Sequence, residues 1–200
     1  MVDKFVQPSI EILNIRIDEP ITTLTDLLLA GICFYAYYRI HKQDYTCTGQ
    51  RYFKYYFLVL GLGAITGGLL GHAFLYGLAE QWKLVSWILT LLAVGLISQA
   101  LLEVARPHVN KAFCRIISWC NVLLFAIVLF FTIWTIDFTL VKYYSIFGMV
   151  VIVGSLCCYI YLKTSSYSGP TPSAMFAYPV PECTHRAVVT GDGVVQQVGG

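Results

Sequence analysis

Along the chain, apolar residues gather into long runs, separated by short segments that hold most of the charge. A helix of roughly 20 apolar residues crosses a hydrocarbon core about 30 Å thick. Runs of that length extend from about Ile21 to Tyr38, Tyr55 to Leu78, Trp82 to Leu102, Ile116 to Ile136 and Lys142 to Leu162. They predict an all-α membrane protein, a bundle of about five transmembrane helices over residues 19–163. Ahead of the first run, Ile10, Ile12, Ile15 and Ile17 alternate with polar residues, so residues 1–18 read as a segment lying at the membrane surface. Nothing there resembles the apolar core of a cleaved signal peptide. After Lys163 the pattern ends. Residues 164–200 are rich in Pro, Gly, Ser and Val and hold no span-length apolar run, so a disordered tail is expected.

The composition agrees. The 200 residues are 58% hydrophobic and only 12% charged, about half the charge of a soluble domain. A net charge of +2 and the lack of a basic stripe interleaved with aromatics argue against nucleic acid as a partner. Membrane lipids are the expected surroundings. The 7 cysteines are odd in number and form no CxxC, which excludes a regular disulfide framework or a thiolate zinc pattern.

Charge in the loops predicts orientation. Arg39, Lys42, Arg51 and Lys54 flank the first loop, and Arg106, Lys111 and Arg115 the third, whereas the second carries Lys83 beside Glu80. Basic loops stay cytoplasmic, which places the N-terminus outside and the C-terminus inside.

The chemistry lies at the mouths of the runs. Glu19, Thr22, Thr23 and Asp26 share one helical face. Glu19 precedes Pro20, where a carboxylate caps a helix and favours the positive end of its dipole. Asp26 lies roughly 9 Å deeper, a depth at which an ionisable group faces the bundle and has a partner. In the second run, Gly63, Gly67 and Gly71 recur every fourth residue, a ladder that admits a close neighbouring helix, either within the chain or in a homo-oligomer. His72 follows it, at the same depth as Asp26 when the runs are laid antiparallel. The expected polar cluster is Asp26 with His72, joined by Glu19, Thr22, Thr23, Ser86 and Tyr144. His72 and Asp26 are its candidate metal ligands, with zinc the candidate metal. A second polar set, Ser98, Gln99, Glu103, Arg106 and Asn121, reads as a solvated helix end, with Glu103 and Arg106 placed to pair.

Three stretches carry a resemblance: E-P-x-T-T-L-T-D-x-L-L-A from Glu19, G-G-x-x-x-H ending at His72, and W-K-L from Trp82. They resemble a family of bacterial multi-pass membrane proteins of unknown role. That family is distantly similar to the superfamily of alkaline ceramidases and adiponectin receptors (CREST), seven-helix zinc-dependent hydrolases of lipid amides. The resemblance implies that His72 matches a zinc ligand. It breaks elsewhere: Gly68 stands where those hydrolases carry a Ser, Lys83 lies in the region of a missing Asp, and the H-x-x-x-H of their last helix is absent. The resemblance therefore implies a shortened or altered member, whose tail replaced its last helices. The leading expectation is a non-catalytic membrane bundle that works through helix packing or small-ligand binding. The alternatives are a degenerate or partner-completed zinc amidohydrolase and a proton or ion pathway.

Overall fold

A computed structural model describes residues 9–12, 15–42, 48–74, 80–106 and 109–165. Among these, five helical segments are long and apolar enough to cross a membrane: Pro20–Lys42, Thr48–Ala73, Lys83–Ala105, Lys111–Thr135 and Phe138–Leu162. The first, α1, is one helix of 23 residues. The second comprises α2 (Thr48–Thr66) and a π-helical continuation, Gly67–Ala73. A short 3-10 turn, Glu80–Trp82, leads into α3 (Lys83–Ala105). Helix α4 covers Lys111–Thr135. The fifth segment contains α5 (Phe138–Ile146), a π-helical stretch Phe147–Val153 and α6 (Gly154–Ser165). Most helices run past the expected span limits because their basic and aromatic flanks are helical too. The tail expected to be disordered lies, from residue 166 on, outside the described residues.

The segment ahead of α1, expected at the membrane surface, is a β-hairpin. Ser9–Ile12 (β1) and Ile15–Asp18 (β2) pair antiparallel, with Ile10 opposite Ile17 and Ile12 opposite Ile15. The isoleucine alternation breaks phase between residues 12 and 15. Two residues inserted between alternating runs are what a tight hairpin needs. Glu19 alone separates β2 from α1, with a φ of 48°. A non-glycine residue in that left-handed region is uncommon and costs about 1–3 kcal/mol. The sharp bend lets α1 start directly at Pro20, whose missing N–H is no loss there.

Helix α3 is the centre of the bundle, with 56% of its apolar window buried against 11% for α4 and 6% for the fifth segment. Leu91, Val94, Val141 and Tyr144 form the core between α3 and α5, and Leu124, Phe125 and Val128 of α4 pack against it. Gly148 lets the fifth segment close on α3: a methyl group there would collide with Val94 Cγ1. The outer face of α4 shows Ile116, Trp119, Leu123, Phe130 and Trp134, an apolar surface of the kind that meets lipid. A tight turn joins α4 to α5. Ile136 adopts a left-handed conformation (φ 51°) as its N–H closes on Thr132 O. Asp137 then caps α5, accepting from Thr139 N at 2.8 Å. That bond, strengthened by the Thr139 side chain, holds the Asp137 carboxyl below the usual carboxylate range.

The far end of α3, opposite the hairpin, is not simply a solvated helix end. Gln99 Nε2 donates to Ser118 O at 3.1 Å, and Ser118 Oγ donates back to Gln99 Oε1 at 2.9 Å. One turn away, Asn121 Nδ2 donates to Gly95 O at 3.1 Å. Gln99 and Asn121 are buried, so these bonds clasp α3 to α4. Only the Glu103–Arg106 pair, at 2.9 Å, matches the expectation of a polar helix end.

Candidate functional site

Four elements meet at the hairpin end: β2 with Glu19, the first turns of α1, the π-helical end of the second span, and the start of α3. Glycine determines how closely they approach. A Cβ at Gly68 would sit 2.9 Å from Asp26 Cβ, and one at Gly61 3.2 Å from Cys33 Cβ, so both glycines seat α1. Gly63 faces Leu89 of α3 at 3.3 Å. Gly67 lies between Asp26 Oδ2 (3.8 Å) and Ser86 Cβ (3.7 Å), again measured from an added Cβ. Gly71 has nothing within 4 Å. The expected ladder of Gly63, Gly67 and Gly71 is thus only partly used, and its first two rungs face α3 of the same chain. The close seam with α1 belongs instead to Gly61 and Gly68. A π-helix advances by a wider turn than an α-helix, which changes which side each residue faces after Thr66.

On this frame, His72 stands between two carboxylates. Its Nδ1 lies 2.7 Å from Glu19 Oε2, a short charge-assisted hydrogen bond. Its Nε2 lies 4.0 Å from Asp26 Oδ2, an ion-pair separation but not a hydrogen bond. Thr23 Oγ1 donates weakly to Gly68 O at 3.4 Å, tying α1 to the π-helical turn beside Asp26. Ser86 Oγ donates to Lys83 O at 3.0 Å and closes the α3 side.

The other expected members lie apart. Thr22 enters only through its carbonyl, which accepts from Thr25 Oγ1 at 2.8 Å. Tyr144 belongs to the core: its hydroxyl is buried without a hydrogen-bond partner among the described residues and lies 3.6 Å from a Cβ built on Gly95. Gly95 is nine residues along α3 from Ser86, roughly 13 Å away at 1.5 Å per residue.

Besides preceding α1, as the sequence suggested, Glu19 joins the cluster directly. Its carbonyl accepts from Thr23 N at 3.0 Å, as the residue preceding a helix does. Its side chain turns to His72. The left-handed backbone at Glu19 and the hairpin behind it make that reach possible. Within the hairpin, Arg16 Nε donates to the buried Asp18 carboxylate at 2.8 Å, bracing β2 where Glu19 departs.

The arrangement fixes one charge problem. A neutral imidazole has one N–H and one lone pair, so it can donate to only one of two carboxylates. With Nδ1 engaged by Glu19, Asp26 faces either a lone pair or, on an imidazolium, a second N–H. Asp26 has no hydrogen bond among the described residues, and its side chain is 27% exposed. It is an acceptor held open at the mouth of the bundle.

A family pattern covers most of this region. The family of unknown function DUF6962 matches residues 21–186. The chain belongs to that family. The DUF6962 match takes in Asp26, the glycines, His72 and Ser86, and begins two residues after Glu19. It also runs past the fifth span to residue 186. No curated protein and no solved structure matches the chain, so the likeness to ceramidases and adiponectin receptors gains no support from them. Among the described residues, no three His, Cys, Asp or Glu side chains are grouped to hold a metal ion.

Proposed function

We propose that this DUF6962 protein is a non-catalytic multi-pass membrane protein that binds a small hydrogen-bond-donating or cationic ligand at Asp26. Its hairpin end lies outside the cell and its basic end in the cytoplasm. One observation carries the ligand reading. Asp26 faces His72 Nε2 at 4.0 Å with no hydrogen bond, while Glu19 holds the opposite ring nitrogen at 2.7 Å. Pure packing glue would be expected to close such a gap, because a polar group in hydrocarbon seeks a partner. A protonated amine or a similar compact donor would satisfy the carboxylate that His72 leaves without a hydrogen bond.

Zinc fits poorly. A catalytic zinc takes three protein ligands and a water. Here His72 and Asp26 are two, and Glu19 occupies the other ring nitrogen of the same histidine, the place of a supporting residue rather than a third ligand.

The test is thermal unfolding of the detergent-purified protein against a panel of small amines. A ligand that binds only the folded state raises the midpoint with concentration. The shift should vanish in Asp26→Asn and persist in Thr22→Ala. No amine shifting the wild type, or an equal shift in Asp26→Asn, would leave the cluster a packing device. For orientation, a cysteine placed at Glu11 should react with an impermeant reagent added to intact cells, and one at Lys111 should not. The reverse labelling would invert the topology.

A further inference from the structure

The end of the bundle opposite His72 has a different chemistry. The last turn of α1 carries Arg39, His41 and Lys42, and the first turns of α2 carry Arg51 and Lys54. Tyrosines lie beneath them. Lys54 Nζ sits 5.7 Å from the Tyr37 ring across the α1–α2 seam, and 5.7 Å from Tyr55 on its own helix. His41 stacks on Tyr37, with centroids 5.8 Å apart and planes within 5°. Lys42 Nζ lies 4.8 Å from the Tyr38 ring, and Arg39 lies 5.9 Å from the Tyr35 ring while donating to its hydroxyl at 3.0 Å.

Among the described residues, Arg39, Lys42, Arg51 and Lys54 have no carboxylate partner, whereas Arg106 at the same end is paired to Glu103 at 2.9 Å. A cation over a tyrosine face is held by the ring quadrupole but keeps its charge. It is thus positioned without being neutralised. Tyrosine also prefers the boundary between hydrocarbon and headgroups, so these rings fix the cations at headgroup depth.

We propose that the α1–α2 end draws an anionic phospholipid headgroup through the summed charge of Arg39, Lys42 and Lys54, with the acyl chains lying along α1. The outward face of α1 is open for them: Leu24, Leu28 and Ile32 are exposed. Clustered lysine and arginine next to a span contribute to anionic-lipid affinity additively. A zwitterionic lipid presents the same phosphate but brings its own cation, so it competes poorly here.

The test is native mass spectrometry of the delipidated full chain titrated with phosphatidylglycerol or phosphatidylcholine of equal chain length. The wild type should retain phosphatidylglycerol in preference. The triple variant Arg39→Gln, Lys42→Gln, Lys54→Gln should lose about tenfold or more of that affinity. Lys42→Arg with Lys54→Arg should keep it. Lys142→Gln, at the other end, should leave it unchanged, and unaltered thermal unfolding would show that the triple variant still folds. Equal retention of both lipids by the wild type would overturn the proposal, as would a triple variant that keeps the preference. Displacement of the lipid by equimolar inorganic phosphate would also overturn it, since this end would then draw a free anion.

Discussion

Replacing Gly68 by alanine tests the seam on which the site is built. An added Cβ would lie 2.9 Å from Asp26 Cβ and 3.5 Å from both Asp26 Oδ2 and Thr23 O. Carbons in contact sit about 3.5–4.0 Å apart, so α1 and the π-helical turn must separate by roughly 1 Å. Neither neighbour is the loose end of a long side chain, so the backbone has to move. Overpacking of this kind costs about 1–3 kcal/mol. The Thr23–Gly68 bond, already 3.4 Å long, should also break, adding less than about 1 kcal/mol. Gly71→Ala is the matched control, three residues on in the same turn. It meets nothing within 4 Å, and its effect should lie between zero and a gain of about 1 kcal/mol, because glycine is a weaker helix former than alanine. Equilibrium unfolding in mixed micelles, followed by circular dichroism, reads both variants. If Gly71→Ala is destabilised as much as Gly68→Ala, the every-fourth-residue ladder is the real seam and the packing described for Gly68 is wrong.

Further outcomes follow from other contacts. Gly148→Ala should destabilise the fold strongly, since its methyl group runs into Val94; an unchanged midpoint would mean the fifth segment does not lie against α3 as described. Tyr144→Phe should be neutral or stabilising, because it removes a buried hydroxyl that has no partner among the described residues; a large loss would reveal a partner for that hydroxyl. A double-mutant cycle on Gln99→Ala and Ser118→Ala should give a coupling of about 0.5–2 kcal/mol, the range for hydrogen bonds between membrane helices; zero coupling would remove the clasp. Asp137→Ala should weaken the start of α5 near neutral pH. The folded-state carboxyl titrates below its ordinary value because of its bonds to Thr139. Its contribution is therefore present above the ordinary carboxylate range and is lost as pH falls through the lowered folded value. Unfolding curves of the wild type and Asp137→Ala should converge in acid, and a constant gap would contradict the cap.

The helical spans were legible because twenty-residue apolar runs admit few other folds. The approach of Asp26 to His72 was legible from the polar face of α1, the glycines beside His72 and depth, since antiparallel spans put equal distances from one end in one layer. Glu19 was legible as a member of the cluster, but not as the direct partner of His72. A carboxylate before proline reads as a helix cap, and nothing local signals that the backbone turns left-handed and sends the side chain across to another helix. The hairpin was half visible: the isoleucine alternation was plain, but its break in phase between Ile12 and Ile15, which pair with each other, was not read. The glycine seam was misplaced because a regular helical period was assumed, and the π-helical turn resets that period after Thr66. Tyr144 was misassigned for a related reason. Its hydroxyl suggests a polar site, yet the long side chain ends in the core beside Gly95. Gln99 and Asn121 looked like residues of a solvated end because a one-dimensional reading cannot tell which face of α3 meets α4.

The central claim is that His72 is held at one nitrogen by Glu19 and faces Asp26 with the other. Nitrogen-15 resonances of the histidine ring in lipid-embedded protein test it most directly. The chain has 4 histidines, and His72 is assigned by its loss in His72→Gln. The account predicts that Glu19→Gln moves the Nδ1 resonance most and Asp26→Asn moves the Nε2 resonance most, each leaving the other three histidines in place. Resonances of His72 that ignore both substitutions would contradict it, and would return the cluster to two unrelated carboxylates and a surface histidine.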